Sequence, residues 1–179
     1  LLLSPADAEQ VGTLSDVKIE RVGRGFSHAL FFNCRKFPSN VTGFRRAVAF
    51  AVDKEQIVEE CYDGWARPVD SVLSPDLPWS AEDVLHPHYY EADLSKAAAI
   101  LNQEGFVDVD SDGWREAPNG SDLSISLGVE LGYPIRDEVS YAVCDMLRAV
   151  GLNVTIVDLW CCGVLQWLYY RDFDIVLYY

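Results

Sequence analysis

The chain has 179 residues, half of them hydrophobic, a formal charge of −14 and an isoelectric point near 4.4. That length supports a packed core of ordinary domain size. The negative charge excludes a nucleic-acid partner, which needs a positive field over its phosphates, and disfavours an anionic membrane surface.

Taken in order, Ser4 to Gln10 carries a Ser-Pro helix start, and Asp16 to Val22 sets Val17, Ile19 and Val22 among charges, which predicts a strand. After Gly23-Arg24-Gly25, the aromatic-rich Phe26 to Asn33 predicts a second strand. In FRRAVAFAVDKEQI, residues 44–57, the apolar Phe44, Ala47, Val48, Ala51 and Val52 recur at helical spacing. Asp53 is placed to cap a second helix over Lys54 to Cys61. Asp70 to Pro87, punctuated by Pro75, Pro78 and Pro87, predicts an ordered loop that wraps the surface. Asp93 caps the next helix, whose Ala97, Ile100 and Leu101 pack, and Gly105 ends it in a left-handed turn. Asp110 to Glu116 predicts a hairpin.

The last third reads as β-α-β-α-β: strand Leu123 to Leu131, helix Pro134 to Val150 ended by Gly151, strand Asn153 to Leu159, helix Gly163 to Tyr170 and strand Phe173 to Tyr178. Helices of that length between strands force parallel pairing through right-handed crossovers. Open parallel sheets bind ligands beyond the carboxyl ends of their strands. That rule selects Gly132 and Tyr133, then Trp160, then Tyr178 and Tyr179, and aromatic side chains there offer large contact area with a polar handle.

Other chemistry is weaker. Gly25-Phe26-Ser27-His28-Ala29 resembles a hydrolase nucleophile elbow, but Ala29 stands where a glycine is needed and a strand follows. Asp108, Asp110, Asp112 and Gly113 match the start of a calcium loop, yet its twelfth position is Asn119, preceded by Pro118, so a turn rich in aspartate is favoured. His86 and His88, near Glu82 and Asp83, flank a proline in a loop and lack a full metal-ligand set. Five cysteines (34, 61, 144, 161 and 162) contain no CxxC pair and define neither a zinc site nor a disulfide framework. Cys61 and Cys144 read as small buried hydrophobes. No phosphate loop, carboxylate pair or Cys-His couple speaks for an enzyme. No run of about eighteen apolar residues occurs, and Leu1-Leu2-Leu3 lacks the length and basic flank of a signal peptide.

Six blocks follow the order of one family: the strand ending at Asn33, the helix pair with Asp53, Gly64 to Pro68, Pro78-Trp79, Tyr90 to Gly105, and Asp110 to Glu116. The chain thereby resembles the family 5 extracellular solute-binding proteins, the peptide, dipeptide and nickel receptors of ABC importers. The resemblance implies an α/β, periplasmic-binding-protein type II-like lobe, with a mixed sheet and a C-terminal parallel βαβαβ unit flanked by helices. It implies a hinge-proximal segment and crossover strand over 1–33, and over 34–179 the second lobe of a longer bilobal protein, truncated at its C-terminal end. It further implies a periplasmic or extracellular protein, associated with the membrane at the cell surface, that binds peptides between two lobes and delivers them to a membrane permease. No cofactor, metal or catalysis is implied. The expected ligand contacts are Asn33, Gly132, Tyr133, Trp160, Tyr178 and Tyr179. Dipeptide receptors of the family carry an arginine in the loop matching Leu131 to Pro134; here Arg136 is the nearest substitute, which leaves oligopeptides or another solute such as nickel open. A ligand-sensing receptor domain is the alternative class, and a hydrolase the weaker one.

Overall fold

The computed structural model describes residues 5–20, 27–71, 73, 75, 77–84, 90–159 and 173–178. Five helices and four strands are defined among them: α1 Pro5–Gly12, β1 Ala29–Phe32, α2 Thr42–Ala51, α3 Lys54–Tyr62, α4 Leu94–Gln103, β2 Ile125–Val129, α5 Pro134–Ala149, β3 Val154–Asp158 and β4 Ile175–Tyr178, with a single 3-10 turn at Glu82–Val84.

The helix pair forms where the apolar spacing and the aspartate place it. Phe44, Ala47, Val48, Phe50 and Ala51 bury one face of α2. The Asp53 carboxylate accepts the Gln56 amide at 2.9 Å and starts α3, satisfying one of the four amides that a helix start leaves unpaired. Asp93 does the same for α4, accepting from the Lys96 amide at 2.8 Å. Its own amide donates to the Phe50 carbonyl at 2.8 Å, which ties α4 to α2. Gly105 then turns the chain at φ +86°, a region that glycine enters without steric cost. The turn delivers Phe106 against Phe44, with ring centroids 5.6 Å apart.

The sheet is mixed, in the order β1-β4-β2-β3. β2 pairs in parallel with β3 and with β4, while β1 runs antiparallel to β4 with Ala29 opposite Tyr178 and Phe32 opposite Ile175. The three strands of the expected unit pair in parallel, and its last strand, β4, inserts between β1 and β2. β2 and β4 are central, and Ile125, Leu127, Val129, Ile175, Val176 and Leu177 are buried, as strands covered on both faces require. Helix 163–170 lies outside the described residues.

Asp16 to Val22 differs from expectation. Residues 17–20 have no regular secondary structure and join no ladder among the described residues, and 21 and 22 lie outside those. Val17 is exposed, and Lys18 and Glu20 pair with each other in solvent, so the alternation has no face to bury.

The loop after α3 is ordered by buried carboxylates. Glu82 accepts the amides of Asp70 at 2.7 Å and Ser71 at 2.9 Å, and Asp70 pairs with Lys54 at the start of α3. Glu82→Ala is expected to cost about 2–3 kcal/mol, because it strands two amides that donate to a charged acceptor. Urea titration measures the loss; a change near zero would mean the loop is not held from this residue.

Candidate functional site

Parallel strands β2, β3 and β4 all end on one edge of the sheet, and because β1 is antiparallel to β4, the residues that lead into β1 arrive at the same edge. Glu130, Leu131, Gly132 and Tyr133 leave β2 there and run into α5. Gly132 turns at φ +100°. The Asp137 carboxylate, one turn into α5, folds back to accept the amides of Gly132 at 3.1 Å and Tyr133 at 3.4 Å. Asp158, closing β3, accepts the Leu131 amide at 3.2 Å. The loop is thus held from both neighbouring elements while Tyr133 stands 51% exposed.

Arg136 is 5% exposed, not the accessible substitute that its place near the loop suggested. Its Nη1 donates to the Glu130 carboxylate at 2.7 Å and to the Glu130 carbonyl at 3.3 Å, and its guanidinium carbon lies 4.2 Å from the centroid of the Tyr133 ring. A loop carboxylate and the ring occupy the guanidinium that a solute carboxylate would need.

Two residues at this edge were missed by the sequence reading. His28, just before β1, shares a hydrogen bond of 2.5 Å between Nδ1 and the Tyr62 hydroxyl at the end of α3. Burial lowers the His28 pKa and the Arg136 charge lowers it further. Burial, with Cys61 adding and Arg136 opposing, pushes Tyr62 up to about 12. The pair is therefore neutral on both sides near pH 7. Nothing local signals it, since 34 positions separate the partners. The Cys61 thiol beside it is raised, mostly by burial and then by Glu138 and Glu60, which leaves a poor nucleophile.

An unfolded histidine protonates near pH 6.5 and folded His28 does so only at lower pH. Between those values the unfolded chain binds more protons, so this contribution to stability is intact above about pH 6.5 and is lost as pH falls. The drop in Tm between pH 7.5 and 5.5 is expected to be smaller in His28→Gln than in wild type, as thermal melts in matched buffers will read; equal drops would contradict the burial of His28.

Tyr178 joins Gly132 and Tyr133 on this edge, opposite Ala29. Trp160 and Tyr179 lie outside the described residues. Asn33 does not join them. It follows Phe32, which pairs with Ile175, and so sits at the opposite edge, about 10 Å along β4. There its amide donates to the Asp174 carbonyl at 3.0 Å and its Nδ2 to the Phe173 carbonyl at 3.2 Å. The antiparallel direction of β1 carries its end away from the edge that holds Tyr133 and Tyr178, and Asn33 pins the start of β4.

Ser27 precedes a strand rather than a strand-to-helix turn, so no elbow forms. Cys144 is buried, as expected, and its Sγ lies 3.6 Å from the Val154 carbonyl. The aspartate-rich hairpin is closed by a bridge between Val107 and Glu116. Ligand atoms of Asp108, Asp110, Asp112 and Glu116 fall within 4.8 Å of one another. Counting to a twelfth position had overlooked Glu116. These carboxylates accept the turn's own amides, Ser111 and Gly113 on Asp108, Asp112 on Asp110, Trp114 on Asp112 and Val109 on Glu116. His86 and His88 lie outside the described residues. A groove of about 440 Å³ lies elsewhere, between α3 and α5, lined in part by Asp53, Glu60, Asp145 and Met146. No helix among the described residues is long and apolar enough to cross a membrane.

Comparison with known proteins bears on the family and the fold. The chain is 28% identical over 136 residues to the nickel-binding periplasmic protein of Escherichia coli K12, a match covering 72% of this chain and 24% of that protein. It is 27% identical over 110 residues to the oligopeptide-binding protein AppA of Bacillus subtilis, covering 62% and 20%. A mannohexaose-bound periplasmic oligopeptide-binding protein of an oligopeptide ABC transporter from Thermotoga maritima superposes with a TM-score of 0.75 at 26% identity, over 86% of this chain and 29% of that one. The chain therefore spans about a quarter or less of the length of the curated relatives it matches, and its α/β architecture is that of a periplasmic binding protein type II lobe. The model for the middle part of the bacterial extracellular solute-binding proteins of family 5 matches residues 1–179, and the chain belongs to that family.

Proposed function

We propose that these residues are the second lobe of the substrate-binding component of an ABC importer, which takes up a peptide between two lobes and delivers it to a membrane permease at the periplasmic or extracellular face. Residues 1–33 are read as the hinge-proximal segment and crossover strand, and 34–179 as the lobe itself. The observation that carries the reading is the single sheet edge at which three parallel strands end, with Tyr133 and Tyr178 on it, in a chain matched by the family along its whole length. An edge of this kind is one wall of a cleft. Its opposite wall belongs to the other lobe, which is why the edge need not itself form a closed cavity. Closure by hinge rotation draws on solute contacts made only in the closed form. A binding role rather than catalysis follows from the same reading.

Nickel carried in a complex is the second reading, and it is favoured by the neutral imidazole of His28 on the same edge and by the nickel-binding relative. Native mass spectrometry of the full-length gene product decides between them. A ladder of co-purified peptides is expected; a metal complex would move the assignment to nickel, and an empty protein whose Tm does not shift with peptides would overturn peptide import. The isolated 179-residue chain supplies half of the contacts and is expected to bind peptides more weakly than about 1 μM. Isothermal titration showing tighter binding would refute the single-lobe assignment.

A further inference from the structure

We infer that Tyr133 forms a subsite for a neutral, flat group of the solute, and that Arg136 is its positioning residue. The inference rests on the peptide-binding reading above and assigns chemistry to one part of that cleft. A tyrosine on a loop ordinarily samples several rotamers, and ordering it on binding costs free energy. Here one face of the ring is backed by the Arg136 guanidinium at 4.2 Å. The guanidinium cannot swing out toward the solute, because it is 5% exposed and tied to the Glu130 carboxylate at 2.7 Å and the Glu130 carbonyl at 3.3 Å. The loop beneath is held in turn by Asp137 and Asp158. With one face covered and the residue still 51% exposed, the opposite face is the contact surface. It is preorganised before any solute arrives.

The backing cation also selects what that face accepts. Ring faces attract cations through their negative quadrupole. That attraction is already directed at the guanidinium, whose charge the Glu130 carboxylate offsets, so a second cation across the ring finds little pull left on this face. Peptide planes and aromatic side chains stack on it through contact area and offset geometry instead. An ammonium or guanidinium of the solute gains less at this position than a flat neutral group.

The test uses the full-length gene product and the tripeptides Ala-Phe-Ala and Ala-Lys-Ala, with affinities from isothermal titration and folding checked by Tm. Wild type is expected to bind the phenylalanine peptide at least about fivefold more tightly. Tyr133→Phe should keep that ratio, and Tyr133→Leu should reduce it below about twofold. The double variant Glu130→Gln, Arg136→Met removes the brace without leaving an unpaired carboxylate, and it should narrow the ratio likewise while the tyrosine is still present. A general loss of fold would weaken both peptides alike and leave the ratio standing. A wild type that prefers the lysine peptide, or a ratio that survives Tyr133→Leu, overturns the subsite and leaves peptide binding intact. A wild type that binds neither peptide overturns the subsite together with the reading on which it rests.

Discussion

Phe44→Ala is expected to destabilise the fold by about 4 kcal/mol, the middle of the range for truncating a fully buried aromatic residue. Phe44 has no exposed surface, and its ring meets that of Phe106 at 5.6 Å, which in turn stacks on Phe37 at 5.7 Å. The cluster joins the start of α2 to the turn after α4 and to the loop that follows β1. For a chain of this size such a loss lowers Tm by roughly 8–16 °C. Denaturant unfolding of the variant measures it directly, and a loss below about 1 kcal/mol would mean that α2 does not seat on the core as described.

Asp174→Ala follows at about 3 kcal/mol, for a different reason. Asp174 is 3% exposed just before β4. One carboxylate oxygen accepts the Ser126 amide and hydroxyl, each at 2.8 Å, and the other pairs with Lys36 at 2.9 Å. Its carbonyl receives the Ser39 hydroxyl at 2.8 Å and the Asn33 amide at 3.0 Å. Truncation leaves the half-buried Ser126 amide and hydroxyl without their charged acceptor and removes the carboxylate that pairs with the Lys36 ammonium. A double-mutant cycle with Ser126→Ala should return a coupling of about 1–2 kcal/mol. Strict additivity would show that the two residues do not share a network.

These two sites differ in how far they can be read from the chain. Phe44 lies in a stripe whose helical spacing is visible in the letters, and so do the caps at Asp53 and Asp93, because a cap needs only an acceptor three residues from its donor. Asp174 reads as one more surface aspartate in an acidic chain. Its importance comes from Ser126, 48 positions earlier, and from Ser39, 135 positions away. The sheet edge that carries Tyr133 divides in the same way. Strand order along the chain and the carboxyl-end rule were enough to place Gly132, Tyr133 and Tyr178 together. The pairing of His28 with Tyr62 and the burial of Arg136 depend on how β1 and α3 pack beside α5.

By itself, then, the sequence determined the elements whose signals act within a few residues: the capped helices, the apolar strands of the core, the left-handed glycine turn after α4, and the family to which the ordered motifs belong. Only the tertiary structure decided that β4 inserts between β1 and β2 and that Asn33 falls on the sheet edge opposite the one that carries Tyr133 and Tyr178. It likewise decided that Glu116 closes the aspartate turn and that Arg136 is spent on Glu130 and Tyr133. Periodicity and capping are short-range and cost little to satisfy locally. The partner of a buried charge and the neighbour of a strand are selected by burying the whole core at once, and the local sequence does not encode that selection.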